Sequence, residues 1–375
     1  MKIVLLASEP VDYAIAYANG VGEHAEVTMF VPQRLYADLA QWISPGIDLR
    51  LIDWPRTRSL RNPKFVVSLA MRIRRERPDA VHLLSNTTLW LNALAPLLKG
   101  IPLVVTVHDV DVHPGDRDTL RLPVWASRMM ARQAGAVVVH GRSLRAAAAA
   151  RLGLPDARLH VLPHPSILRY ADLARELGLT RAEEPPGFRV LCFGRLYAYK
   201  GLADLVRAEA LLAGALPGLA ITIAGRGDDP AELEPLMGDP AAYDIRHRFI
   251  PDAEVAELFT DADLVVLPYT EASQSGVLHV AAAFGRPVVA TDVGELRSTV
   301  EANGLGVIVP PSDPARLAGA ILELAEDPAR LAALGARSLR WAERTIAPDA
   351  VGAMATSLYG SITRVEPSLA ESTHR

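Results

Sequence analysis

The chain has 375 residues, 50% of them hydrophobic and 22% charged, with a formal net charge of -4. That length exceeds what one hydrophobic core usually organises, and the composition is that of a folded globular protein, so two domains are expected. One cysteine, Cys192, excludes an intramolecular disulfide and reads as a buried core thiol in a reducing compartment.

The opening run MKIVLLASEP is too short, and too soon followed by Glu9 and Asp12, for a secretory signal or a membrane span. Later stretches also fall short of the about 18 apolar residues a spanning helix needs, so a cytoplasmic protein is expected. Charge is unevenly spread. Residues 1–165 carry 20 Lys and Arg against 14 Asp and Glu, whereas residues 166–375 carry 19 against 29. A basic first half points to an anionic surface or partner.

Apolar runs rich in β-formers follow one another along the first half: KIVLLAS, AEVTMFV, DAVHLLS, PLVVTVHD, AVVVHG and HVLPHP. The rhythm restarts with FRVLCFGR, LAITIAGRG, IRHRFIPD, DLVVLPYT, PVVATDV and GVIVPP. Strands alternating with helical stretches predict parallel sheets covered on both faces. The fold class is therefore α/β: two doubly wound, Rossmann-like domains, 1–165 and 188–346, facing each other across a cleft. Between Pro163 and Phe188, PHP and EEPPG bracket a short polar helix, and 166–187 is the expected hinge. Apolar spacing over Ala347–Arg364 predicts a last amphipathic helix, with 347–375 crossing back to the first domain.

The stretch FGRLYAYKGLADLV, 193–206, carries the strongest chemical signal. An apolar strand ends in a tight turn holding Arg195 and Lys200, and a helix opens directly after it. Two cations at a strand's C-terminal edge, beside free amides, suit a diphosphate. The plainer alternative is a pair of solvated loop charges.

With GRL and YKG at 194–201, AGRG at 224–227, HRFIPDAEVAELFTDADLVVLPY at 247–269 and SGVLHVAAAFGRPVVATDVG at 275–294, the chain resembles the retaining glycosyltransferases of family 4, which have the GT-B fold. The resemblance covers nearly the whole length. It implies that residues 188–346 bind a nucleotide-diphosphate sugar as co-substrate, and that no cofactor or metal takes part. Arg195 and Lys200 would neutralise the diphosphate as it leaves. Ser273, Gln274, Ser275, Gly276 and Val277 precede an alanine-rich helix, so hydroxyls there can cap it, free amides can face the phosphates, and Gly276 admits a close approach. Base contacts are expected from backbone near Phe249 and Ile250.

Family members usually place two glutamates eight residues apart before that helix's G-x-P turn. Counting back from Gly285 and Pro287 puts them at Ala272 and Val280. Glu271 is thus one residue out of register, and the ribose glutamate is missing. His279, the nearest polar side chain, either substitutes for it or lies on the helix surface.

In the first domain PLVVTVHD ends in His108 and Asp109, with His113 shortly after. The resemblance makes His108 the hydrogen-bond partner of a donor sugar hydroxyl near the reacting carbon. Asp109 orients it or meets the acceptor, and His113 belongs to the acceptor loop; the alternative is a buried strand ending in a capped turn. The three fit no standard zinc spacing. Glycine is absent from the loop after the first strand until Gly20, so Glu9 and Asp12 are further acceptor-side candidates, and no G-x-G-x-x-G supports a dinucleotide.

Basic residues crowd RTRSLRNPKFVVSLAMRIRRERPD, notably Arg56, Arg58, Arg61, Lys64, Arg72, Arg74, Arg75 and Arg77. The stretch RLPVWASRMMARQ adds Trp125, Met129 and Met130 among Arg121, Arg128 and Arg132. These read either as a surface resting on anionic lipid at the inner face of the plasma membrane, or as core helices with arginine-rich outer faces. The first reading gives a glycan or lipid-linked sugar acceptor. Nucleic acid is not expected, since aromatics are 6% and no recognition motif accompanies the charge. A degenerate relative that binds a nucleotide sugar or a partner enzyme without turnover is the alternative function.

Overall fold

The computed structural model describes residues 1–56, 59–85, 89–110, 124–181 and 187–365. They fall into two compact units, one holding most of the chain up to Pro165 together with the segment from Ile346 onward, the other holding Ser166–Thr345.

In the first unit β1 (Lys2–Leu6), β2 (Glu26–Pro32), β3 (Asp48–Ile52), β4 (Ala80–Leu83), β5 (Leu103–Thr106), β6 (Ala136–Val139) and β7 (Leu159–Val161) form one sheet in the order β3-β2-β1-β4-β5-β6-β7. Every pairing is parallel. Successive side chains point to opposite faces of a strand, and a parallel sheet covered on both faces buries both sets. Val4, Leu6, Val81, Leu83 and Val105 accordingly join one core with Val66, Leu69 and Ile73 of helix Asn62–Glu76. Ile3, Leu5, Ala80 and Val104 join the other, with Tyr13, Tyr17 and Val21 of helix Val11–Gly22.

That second core is closed by helix Pro348–Val365, which contributes Val351, Ala355, Leu358 and Tyr359. The two helices cross at van der Waals range of their backbones. A Cβ on Gly20 would lie 1.8 Å from the Pro348 carbonyl oxygen, and one on Gly352 would lie 2.0 Å from the Gly20 carbonyl oxygen. Beneath the crossing, the Tyr359 hydroxyl lies 2.7 Å from His82 Nδ1 and 2.9 Å from the Tyr17 hydroxyl, while His82 Nε2 is 2.9 Å from Thr106 Oγ1.

The second unit holds β8 (Arg189–Leu196), β9 (Ala220–Gly227), β10 (Tyr243–His247), β11 (Leu264–Leu267), β12 (Val288–Thr291) and β13 (Gly306–Val309), ordered β10-β9-β8-β11-β12-β13 and again all parallel. Val190, Cys192, Ile221, Ile223 and Val266 pack with helices Leu202–Leu212 and Pro314–Glu326. On the opposite face Phe193 meets Phe259 of helix Asp252–Asp261 at 5.4 Å between ring centroids. Both sheets are thus doubly wound, as the alternating runs imply.

The segment 166–187, expected as a hinge, groups with the second unit. Its helix Arg169–Glu176 packs on helix Asp252–Asp261, and Arg169 clamps Asp252 with Nη1 to Oδ2 at 2.5 Å. Among the described residues no helix is long and apolar enough to cross a membrane.

Candidate functional site

In the second sheet the strand order reverses between β8 and β11, and loops leaving strands at such a point diverge to form a crevice at their carboxyl ends. Arg195 stands exposed near the end of β8, in register with Arg226 on β9. A 3-10 turn, Ala198–Lys200, follows, and Gly201 then takes φ 67° before helix Leu202–Leu212. The turn needs glycine for a second reason, since a Cβ on Gly201 would lie 1.8 Å from the Pro268 carbonyl oxygen.

This close approach ties the turn to the loop after β11. The Thr270 amide donates to the Tyr199 carbonyl at 2.8 Å, Thr291 Oγ1 donates to the Tyr269 carbonyl at 2.6 Å, and the Glu295 amide donates to the Ser273 carbonyl at 3.0 Å. Loops from β8, β11 and β12 therefore form one cluster. Within it Lys200 Nζ lies 3.7 Å from the centroid of the Tyr269 ring and 5.0 Å from that of Tyr199. Burial pushes the Tyr269 phenol up, while its hydrogen bond to Ser275 and the charge of Arg195 pull the other way. Cys192 lies under the same cluster; burial pushes its thiol up to about 12 against the opposing charge of Lys200, so it stays a neutral core group.

Glu271, Ser273 and Gln274 are half-buried in the loop, and helix Gly276–Ala283 begins directly after Ser275. The expected hydroxyl cap is corrected here. Ser275 occupies the N-cap position but makes no side-chain capping bond, because its Oγ pairs with the Tyr269 hydroxyl at 3.0 Å. The first-turn amides are left without a side-chain acceptor, and such amides attract anions. Gly276 is exposed, and a Cβ there would meet only Ile167 Cδ1, at 3.9 Å, so no protein atom forces glycine at this position. Val277 packs beside Gly194.

His279 is not on the helix surface. It is buried, with Nδ1 2.9 Å from the Ser275 carbonyl oxygen and its ring 5.5 Å from that of Trp341, and burial lowers its pKa to about 4. After β10, Ile250 is buried whereas the Phe249 ring is 62% exposed with the Arg226 guanidinium 5.3 Å from its centroid.

In the first unit His108 follows β5, with Nε2 2.8 Å from the Leu84 carbonyl oxygen. Burial lowers its pKa, against which the Leu84 bond and the charge of Asp109 act. Its Nδ1 is buried with no hydrogen-bond partner among the described residues. Tyr13 meets the His108 ring edge-on at 4.6 Å and also contacts His140 and His164 at 5.0 and 4.9 Å. Glu9 is exposed and Asp12 half-buried at the start of helix Val11–Gly22. Both charges help burial to raise the Tyr36 phenol. His113, Arg58 and Arg121 lie outside the described residues.

Residues 187–327 match the family described as glycosyl transferases group 1, and residues 13–165 match glycosyltransferase family 4. The chain is 32% identical over 287 residues to D-inositol 3-phosphate glycosyltransferase 1 of Catenulispora acidiphila, covering 70% of this chain and 68% of that one. The chain belongs to the group 1, family 4 glycosyltransferases. This glycosyltransferase is also 26% identical over 347 residues to the GDP-mannose-dependent alpha-(1-6)-phosphatidylinositol monomannoside mannosyltransferase of Mycolicibacterium smegmatis, covering 88% and 89% of the two chains. Among solved structures, sucrose-phosphate synthase from Thermosynechococcus elongatus superposes with TM-score 0.73 at 18% identity, covering 98% of this chain and all of that one. The fold is GT-B.

Several side chains of the glycosyltransferase's loop clusters were not singled out from sequence. His140 and His164 close apolar runs just as His108 does, AVVVHG and HVLPHP beside PLVVTVHD, and strand ends from β5 to β7 gather them. Arg226 sits in the AGRG run. Tyr269 gives no local signal. The arginine-rich helices of the glycosyltransferase each have a core face and an exposed face. Val66, Leu69 and Ile73, with Met130 and Ala131, are core, while Val67, Met71, Trp125 and Met129 are exposed beside Lys64, Arg75 and Arg128. Among the described residues, no group of three or more His, Cys, Asp or Glu side chains could hold a metal ion.

Proposed function

We propose that the enzyme transfers a sugar from a nucleotide-diphosphate donor, with retention at the anomeric carbon, to a lipid-linked or cell-surface glycan intermediate. The observation that carries this reading is the loop cluster of the second unit, where Arg195, Lys200 and an uncapped helix start at Gly276 belong to one hydrogen-bonded set of loops. Such a set complements a diphosphate more strongly as it departs and gains charge, which is the condition for lowering the barrier.

In the proposed step the bond from the anomeric carbon to the phosphate oxygen breaks, and a bond to the acceptor oxygen forms on the same face. The acceptor's proton passes to the departing phosphate oxygen. His108, its Nε2–H donating to the Leu84 carbonyl, is assigned a positioning contact to a donor sugar hydroxyl. Asp109, Glu9, Asp12 and His113 are assigned to the acceptor side, and Phe249, Ile250 and Glu271 to the donor. His279, neutral and held on the Ser275 carbonyl, supports the helix start in this scheme.

The exposed Trp125, Met129, Val67 and Met71 among Lys64, Arg75 and Arg128 support peripheral binding to an anionic membrane from the cytoplasmic side. The M. smegmatis relative, named for a phosphatidylinositol monomannoside acceptor, supports a lipid-linked acceptor here.

A thermal-shift panel of UDP, GDP, ADP and their common sugars tests the donor. A ligand at a hundred times its dissociation constant adds roughly 2.7 kcal/mol to stability, so one nucleotide class should raise the melting temperature clearly. Arg195→Ala or Lys200→Ala should lower turnover of the responding donor by about a hundredfold. Turnover unchanged in both variants overturns the assignment of the diphosphate site.

A further inference from the structure

Lys200 is a flexible side chain, and its usefulness depends on where its ammonium is held before the donor arrives. The structure holds it on an aromatic face. The Tyr269 ring lies 3.7 Å from Nζ, the Tyr199 ring lies 5.0 Å away, and Tyr269 itself is 1% exposed. The same tyrosine spends its hydroxyl on Ser275 Oγ at 3.0 Å, at the N-cap of helix Gly276–Ala283. Its carbonyl is fixed by Thr291 Oγ1 at 2.6 Å.

We infer that Tyr269 is the positioning residue of the donor site, setting Lys200 with its ring and the start of helix Gly276–Ala283 with its hydroxyl. This rests on the reading of Lys200 as a diphosphate ligand. A ring face attracts an ammonium through its quadrupole and adds no negative charge of its own, so the Tyr269 contact itself does not compete with an incoming anion. The hydroxyl has a separate effect: by occupying Ser275 Oγ it keeps that oxygen from capping the helix, and so leaves the Gly276 and Val277 amides to the ligand, the Leu278 amide being held by the Ser275 carbonyl at 3.2 Å. One buried side chain thereby fixes the spacing between a cation and a set of amides that come from different strands.

The test is a double-mutant cycle read as affinity for UDP and for GDP by titration calorimetry, with circular dichroism confirming that each variant is folded. Lys200→Ala should weaken binding by about tenfold or more. Tyr269→Leu, which removes ring and hydroxyl, should cost about tenfold in the wild-type background. In the Lys200→Ala background its cost should fall to about threefold, the share carried by the hydroxyl. Tyr269→Phe keeps the ring and should stay within about threefold of wild type in either background. Equal losses from Tyr269→Leu with and without Lys200 would reduce Tyr269 to a packing residue and overturn the inference alone. Wild-type affinity in Lys200→Ala would instead overturn the diphosphate reading of Lys200, and this assignment with it.

Discussion

His82 is held neutral by the fold it stabilises. Burial lowers its pKa from 6.5 to about 3, and His279 in the other unit is lowered to about 4 for the same reason. Above pH 6.5 neither folded nor unfolded chain protonates these rings. As pH falls below 6.5 the unfolded chain binds protons that the native chain refuses, so stability falls, until the folded values are reached. Each ring should cost up to about 1.4 kcal/mol per pH unit across that window. Urea unfolding at pH 7.0 and pH 5.0 should show a marked loss of stability, and His82→Gln should be less stable at pH 7.0 yet lose less on acidification. An unchanged pH slope in that variant would show that His82 is not the titrating group. At this scale sequence reading works when a residue is unusual where it stands. Arg195 and Lys200 interrupt an apolar run, and His108 ends one. Tyr269 follows a buried strand as many tyrosines do, and its partner Lys200 lies 69 positions earlier, so no local pattern joins them.

The alternating apolar runs predicted the elements well, because parallel strands buried on both faces are nearly continuous in hydrophobicity. β3 escaped that reading. Its residues, DLRLI, sit at the sheet edge and are mostly exposed or half-buried, so the run is broken by charge. Apolar spacing leads to the expectation of a last helix returning to the first domain, but the close crossing of Pro348–Val365 with helix Val11–Gly22 could not be read, since it depends on two glycines more than 300 positions apart. It yields a sharp contrast between two substitutions on one helix. Gly352→Leu forces side-chain atoms against the Gly20 backbone and should destabilise by about 3 kcal/mol or more. Gly360→Ala, with nothing within 4 Å of the added Cβ, should be neutral or should stabilise by up to about 1 kcal/mol. Thermal melts of the two variants check this; a tolerated Gly352→Leu would mean that the helices can separate without loss.

For the molecule as a whole, the split of charge between halves is visible in composition, whereas its arrangement on exposed helix faces depends on burial. If the first unit rests on lipid, vesicles containing anionic phosphatidylglycerol should bind the protein, neutral phosphatidylcholine vesicles should bind it weakly, and added salt should release it. Basic residues near an anionic surface contribute about 1 kcal/mol each, so Lys64→Ala with Arg75→Ala should weaken binding roughly thirtyfold. Equal binding to both vesicle types would count against a membrane-seated acceptor.

The helix that carries Tyr359 to His82 also has a bearing on how the protein is made. Because the first unit is finished by residues after Ile346, a ribosome must release the whole of Ser166–Thr345 before that unit can close. Ser166–Thr345, which holds all the described residues of the second unit, is one continuous stretch of chain and is free to reach its native form first. Until the last helix arrives, the nascent first unit leaves Tyr17, His82 and the apolar positions around them uncovered. A stop codon just past Thr345 would thus spare the synthesis of the second unit's sheet and still yield a protein prone to aggregation and degradation, with the fault lying in the half translated first.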